Sequence, residues 1–321
     1  MPKTLPAARV AVGASLVLLF LLSLGIGVDD LSIRSAAVDS AALQLLLVSR
    51  LPRTLAAILV GAGLAIAGLV MQILVRNRFV EPTTTGTDQS AALGVLAVTI
   101  LFPAASIATK TVVAASAALA GTSAFLAMAH RLPPTQPFLI PLFGLIFGGV
   151  VGAAVTFIAW QFDLLQFVDV WTKGEFSGVL RGRYEMLWLV AAAVVFAWWI
   201  ADRLTIASMG RDISTGLGLN YQRIVQLGLV MIAIISALGV VVVGMIPFVG
   251  LVVPNLVSRL MGDNLRAALP WVAATGSTLV LGCDILGRII RYPYEIPVGT
   301  VLGVVGAGLF LWILFRRTDH G

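Results

Sequence analysis

Apolar residues fall in long runs along this chain, separated by short polar stretches, and the run length suits a bilayer better than a globular core. About ten runs have spanning length, near 10–28, 51–72, 88–104, 109–129, 138–160, 184–203, 222–243, 247–261, 270–290 and 295–315. Each predicts a helix, and those at 88–104 and 247–261 are short. The first run follows Lys3 and Arg9 and ends in small residues, as a signal peptide does. Its apolar core is too long for that, so it is read as a true span. No polar stretch exceeds about 25 residues, so residues 1–321 are expected to form a single membrane domain.

One run breaks the pattern. Residues 239–264, GVVVVGMIPFVGLVVPNLVSRLMGDN, are apolar enough for hydrocarbon yet interrupted by Gly244, Pro247, Gly250 and Pro254. Asn255 and Arg259 follow near the far end. Broken helix at membrane depth is tolerated only where protein or a watery cavity satisfies the backbone. Pro247, Pro254 and Asn255 are therefore candidates for a helix break or a path through the bundle.

Composition fixes the class. Hydrophobic residues make up 59% of the chain and charged residues 11%, with a mean hydropathy of +1.02. That excludes a soluble globular domain and predicts an all-α polytopic membrane protein. Ten spans put both termini on one side. With the N-terminus inside, twelve Lys and Arg face the cytoplasm and nine the outside, a mild inward bias. The outer arginines either reflect boundary placement or bind something acidic. Cys283 is the single cysteine, so no intrachain disulfide forms, and His130 and His320 are too few for a His/Cys metal site.

Catalytic signatures are missing. Lys3, Lys110 and Lys173 all lie outside any Gly-rich P-loop, and there is no HExxH or GxSxG. No catalytic residue is assigned. Intramembrane polar residues are functional candidates by default. Asp284, in LGCDILGR, reads either as a carboxylate hydrogen-bonded within the bundle or as a substrate group, the first being favoured. Gln72 reads as interfacial or path-lining. The run GAGLAIAG over 61–68 is a close-packing face. Residues 204–223, LTIASMGRDISTGLGLNYQR, are too polar to span and are punctuated by Gly210, Gly216 and Gly218 into two short helical pieces, which suggests a docking surface. Residues 168–184 read as an interfacial loop with a short helix, anchored by Trp171 and Tyr184 among the headgroups.

Five pieces in order resemble the FecCD-type permease subunits of bacterial type II ABC importers, which serve iron–siderophores, haem and vitamin B12. They are RLPRTLAAILVGAGLAIAG from Arg50, the Arg76–Asn77 turn leading to Glu81, Pro82 and Gly86, GLGLNYQR from Gly216, FVGLVVPNLVSRLMGDN from Phe248, and EIPVGTVLGVVGAGLFLWIL from Glu295. The resemblance covers about 47–314 and implies the type II permease fold of ten helices. It further implies that Arg50, Arg53 and Arg288 dock glutamates of a periplasmic or lipoprotein substrate-binding protein. Ser208, Met209, Gly210, Gly216, Leu217 and Gly218 would lie in the segment that couples to an ABC ATPase subunit. ATP and Mg would belong to that ATPase, with no cofactor or metal on this chain. A second permease, the same or a paralogous chain, would complete the pore, and nucleic acid has no part.

The pattern departs from the family in places. Asn255 stands where VVPH has its histidine, Asp263–Asn264–Leu265–Arg266 replaces DHR, and Arg76–Asn77–Arg78–Phe79–Val80 replaces RNPLA. The continuation VEPTTTGTDQSAALG is similar to the subgroup importing catecholate siderophores of enterobactin or petrobactin type. The resemblance thus implies a ferric siderophore as substrate, in the bacterial inner membrane with both termini cytoplasmic. Alternatives are a haem or cobalamin permease, a proton-coupled secondary transporter, for which Asp284 is nearly alone in the bundle, and a membrane enzyme, for which no nucleophile–base pair is evident.

Overall fold

The computed structural model describes residues 5–26, 40–133, 136, 138–262 and 264–315, and the regular elements among them are helical. In chain order they are α1 (Leu5–Gly25), α2 (Leu51–Val75), α3 (Thr87–Leu101), α4 (Ile107–Ala129), α5 (Leu139–Gln161), α6 (Leu165–Lys173), α7 (Trp188–Trp199), α8 (Ala201–Ser208), α9 (Arg211–Gly216), α10 (Tyr221–Val242), α11 (Val249–Met261), α12 (Leu265–Ile289) and α13 (Val298–Phe315). A short helix, Ser40–Leu45, and a π-helical turn, Leu46–Arg50, run straight into α2, so one apolar helical stretch covers Ala42–Val75.

Every apolar run of the sequence carries a helix. Among the described residues six are long and apolar enough to cross a membrane, and the pair Tyr184–Trp199 and Ala201–Ser208, bent by 64°, makes a seventh if taken as one broken span. Three more apolar helices are shorter, over Val10–Gly25, Thr87–Leu101 and Val249–Met261. With 13 residues, α11 extends only about 20 Å, against roughly 30 Å of hydrocarbon. It therefore starts at membrane depth, and the irregular residues 243–248 join it to α10.

The bundle is built around α2. Its best 18-residue window is 83% buried, against 22% for α5, which presents its apolar side outward. Small residues allow this central position. A Cβ on Gly61 would lie 2.5 Å from the Gly276 carbonyl oxygen of α12, and Gly68 faces the backbone of Gly250 in α11 just as closely. The small-residue run 61–68 is thus a double packing face, one glycine against each neighbour.

Two expectations change. Gly250 and Pro254 do not break the helix, because both lie inside α11 and only 243–248 is irregular, around Gly244 at φ +97° and Phe248 at φ +69°. Nor is Trp171 a headgroup anchor. It is buried, its ring lies 4.0 Å from that of Phe167, and its carbonyl accepts from Met245 N at 2.7 Å. In segment 168–174, Val168, Trp171 and Gly174 are buried against the break while Asp169, Val170, Thr172 and Lys173 are exposed, so it is a surface segment with one face packed inward.

Candidate functional site

Three places gather the polar residues. The first is at the end of the bundle where α1 and α12 finish and α2 begins. Asp284 is 2% exposed and lies between two guanidinium groups. Arg53 grips it with Nη2 to Oδ1 at 2.8 Å and Nε to Oδ2 at 3.3 Å, and Arg288 Nη2 reaches Oδ2 at 2.6 Å. Arg53 Nη1 continues outward to Glu295 Oε1 at 2.8 Å. The remaining donors serve the end of α1. Arg50 Nη1 donates to the carbonyls of Leu24 and Gly25 at 2.9 and 3.0 Å, and Arg288 Nη1 to those of Ser23 and Ile26, both at 3.1 Å. A helix ends with four carbonyls lacking intrahelical partners, and these arginines supply donors and positive charge there.

The three arginines expected to dock a binding protein thus meet in one cluster, with different exposure. Arg50 and Arg288 are buried and bound to the ends of their own bundle, because α2 is preceded by a continuous helix that draws Arg50 inside. Arg53 and Glu295 form the outer edge of the cluster, with side chains 13% and 32% exposed.

The second place is the break. Glu81, 1% exposed, accepts from the backbone N–H of Phe248 at 2.9 Å and of Leu251 at 3.0 Å. A carboxylate thereby satisfies the open N-terminus of α11 inside the membrane. Residues 76–86 must climb back alongside α11 to deliver it, and Asn255 holds them there. Its Nδ2 donates to Arg78 O at 2.8 Å and to Leu251 O at 2.7 Å. Gln72 Nε2 donates to Gly250 O at 3.1 Å. Pro247 lies in the irregular link.

The third place is the polar segment after α7. Gly210 at φ +104° separates α8 from α9, and Ser214 Oγ donates back to Ile206 O at 3.0 Å. Gly218 has φ +78°, whereas Gly216 ends α9 with ordinary backbone and open space around it. Met209, Ile213 and Leu217, four residues apart, are 50%, 51% and 62% exposed. An apolar row on an otherwise polar segment is the shape of a helix that enters a partner's groove. Ser208 is exposed beside it.

A cavity of 660 Å³ links the second and third places. Gln72, Pro254 and Asn255 line it from the bundle, Ser208 and Met209 from the polar segment, and Arg76 and Arg78 from the end of α2. Arg76 caps α2 at φ 54° and its Nη2 donates to Met209 O at 3.1 Å. Among the described residues no group of three His, Cys, Asp or Glu could hold a metal ion.

The model of the FecCD transport family matches residues 15–316. The chain belongs to the FecCD transport family. This FecCD permease is 44% identical over 306 residues to the petrobactin import system permease protein YclN of Bacillus subtilis, covering 95% of this chain and 97% of that one. It is 39% identical over 271 residues to the ferric-anguibactin transport system permease protein FatD of Vibrio anguillarum, covering 84% and 86%. A solved structure of a metal-chelate type ABC transporter in an inward-facing conformation superposes with a TM-score of 0.82 at 25% identity, covering 97% of this chain and 99% of that one. The protein is an integral, multi-pass ABC importer permease of the type that serves siderophores, and not an enzyme.

Three participants in the FecCD geometry were missed in the sequence. Glu81 and Arg76 enter only as parts of a family motif with no partner assigned, and Asp88, 1% exposed, is not singled out. The usable signal was Glu81 itself, an acid next to Pro82 between two spans.

Proposed function

We propose that this permease moves a ferric siderophore of the petrobactin class across the bacterial inner membrane, with both termini cytoplasmic. The 44% identity to a petrobactin permease over 95% of the chain carries this reading. ATP is hydrolysed by a separate ABC ATPase, whose groove receives the exposed row Met209, Ile213 and Leu217. A periplasmic or lipoprotein binding protein delivers the chelate at the opposite end. There Arg53 is the docking cation, and Arg50 and Arg288 hold its seat. A second permease chain completes the pathway.

The geometry supports a route for the energy. A power stroke on α8 and α9 reaches α2 through Arg76 and Met209 O. Helix α2 then carries it to α11 through Gly68 and Gln72, and to the outer cluster through Arg53. Pro247 lies in the link from which α11 moves, and Pro254 and Asn255 carry that motion to the cavity they line. Proteoliposomes containing the permease, its genomic-neighbour ATPase and binding protein should accumulate radiolabelled ferric petrobactin only with internal ATP. Uptake that persists without ATP and collapses with the proton gradient sinks the proposal.

A further inference from the structure

One buried acid of the bundle lacks the partner its charge requires. Asp88 sits in the first turn of α3 and is 1% exposed. Its Oδ2 accepts from Thr83 Oγ1 at 2.8 Å, but its Oδ1 is buried without a hydrogen-bond partner. Facing it from α10 is Ser236, also 1% exposed, whose Oγ likewise forms no well-aligned hydrogen bond. Thr111, Ser116, Thr122 and Thr156 each return their hydroxyl to the carbonyl four residues earlier, a common arrangement within a helix. Ser236 does not, and its oxygen is left beside the carboxylate. The surrounding seam is apolar, with Ala91, Ala92 and Val95 of α3 in one buried cluster with Ala233, Ala237 and Val240 of α10.

Charge decides what belongs there. Glu81, the neighbouring buried acid, has its charge met by two backbone N–H groups at the start of α11. Asp88 has one hydroxyl and, among the described residues, no Lys or Arg partner. A buried carboxylate without a counter-charge is costly, and inside a bilayer it marks a functional position. The two unpartnered atoms are both oxygens, the donors that suit a hard cation. One free carboxylate oxygen supplies a single negative charge, too little for Ca²⁺ or Mg²⁺, which take six or more oxygens or keep several waters. We propose that Asp88 Oδ1 and Ser236 Oγ bind a small monovalent cation between α3 and α10, with Thr83 holding the other carboxylate oxygen in place. Residues 76–86 lead into α3, and α10 leads into the irregular residues 243–248. The cation therefore pins the break from the α10 side, as Glu81 does from the α11 side. The site does not depend on what the permease carries.

The test follows the thermal midpoint of the full-length chain in nanodiscs of zwitterionic lipid, as sodium chloride replaces choline chloride at constant ionic strength. Sodium is the probe, and mildly alkaline buffer keeps protons from competing for the carboxylate. Screening of surface charge is then the same throughout, and only a site that admits the small ion and not the bulky one responds. Wild type should gain stability with sodium and then saturate. Asp88→Asn removes the charge and should be insensitive to sodium. Ser236→Ala keeps the charge but loses one oxygen, so the sodium needed for half the effect should rise about tenfold, the order of one contact to a charged group. Asp169→Asn, at an exposed acid on α6, should respond as wild type does. If Asp88→Asn does not fold, Ser236→Ala against Asp169→Asn carries the comparison. A wild type equally stable in sodium and choline overturns the proposal. Sodium stabilisation that survives unchanged in Asp88→Asn or in Ser236→Ala also overturns it, by placing the ion elsewhere. No readout involves ATP, iron or a binding protein, so failed transport would leave this result standing.

Discussion

The Gln72 side-chain amide donates to the backbone carbonyl of Gly250 at 3.1 Å, and that carbonyl is the one Pro254 leaves without a partner. In a helix the N–H of residue i bonds the carbonyl of residue i−4, and proline has no N–H. Position 254 therefore strips Gly250 of its helical partner inside α11, where Gly250 is buried. Gln72, one helix away on α2, supplies the donor. The same carbonyl belongs to the glycine that lets α2 and α11 touch at Gly68. Gln72→Leu should destabilise the protein by about 1–2 kcal/mol, the range for an orphaned polar group in a membrane bundle. In a Pro254→Ala background, where the backbone N–H returns, the same change should cost clearly less. Equal loss in both backgrounds, measured by reversible unfolding in detergent, would separate Gln72 from the proline.

The Asp284 cluster calls for a stability prediction in place of a docking one. Three arginines and two carboxylates meet there, and Asp284 is the buried acid that two of the arginines share. Removing one partner of a buried ion pair leaves an uncompensated charge and costs about 3–5 kcal/mol. Asp284→Asn should therefore lose stability on that order, and Arg288→Glu should fail to fold. Glu295→Gln, at the exposed edge, should cost less than about 1 kcal/mol. Thermal unfolding of the three variants checks the order. A folded, stable Arg288→Glu would place that arginine outside the network.

Helix number and the break around Gly244 and Pro247 were legible in the sequence because hydropathy and Gly/Pro placement are local properties. Ten runs gave ten helices, and the two pieces after α7 appear where Gly210 punctuates them. The partners were not legible. Whether Arg50 faces solvent depends on the helix continuing upstream of Leu51 through SAALQLLLVSR, which the run placed at 51–72 leaves out. Glu81 finds Phe248 across 167 residues, a distance that no window of periodicity spans. Pro254 looked like a break because a lone proline usually is one; a neighbouring helix supplied the missing donor.

The two glycines of the coupling segment differ in what a side chain would meet. Gly210 has φ +104°, and a Cβ there would lie 2.6 Å from Arg76 Nη2. Gly216 has neither constraint. Gly210→Val should displace the Arg76 guanidinium and break its bond to Met209 O, so ATP hydrolysis in the reconstituted importer should continue while uptake falls at least about tenfold, as expected of a lost positioning contact. Gly216→Ala should leave both rates within about twofold, as substitutions away from special features do. Uptake in Gly210→Val matching wild type would show that α2 does not receive its motion through Arg76.

Glu81 makes the sharpest demand on the break. Its two oxygens are divided between the N–H of Phe248, held at φ +69°, and that of Leu251 in the first turn of α11. The helix N-terminus favours negative charge, and bonds to a charged acceptor are worth about 1.5–3 kcal/mol each. Glu81→Ala leaves both amides open and should cost about 3 kcal/mol or more on that scale. Glu81→Gln keeps one carbonyl acceptor and should fall between the alanine variant and wild type. The unfraying of α11 gives a local readout. Hydrogen exchange at residues 248–252 should accelerate in Glu81→Ala well before exchange rises in α4. Uniform acceleration across both helices, or unchanged protection at 248–252, would remove Glu81 as the cap of α11.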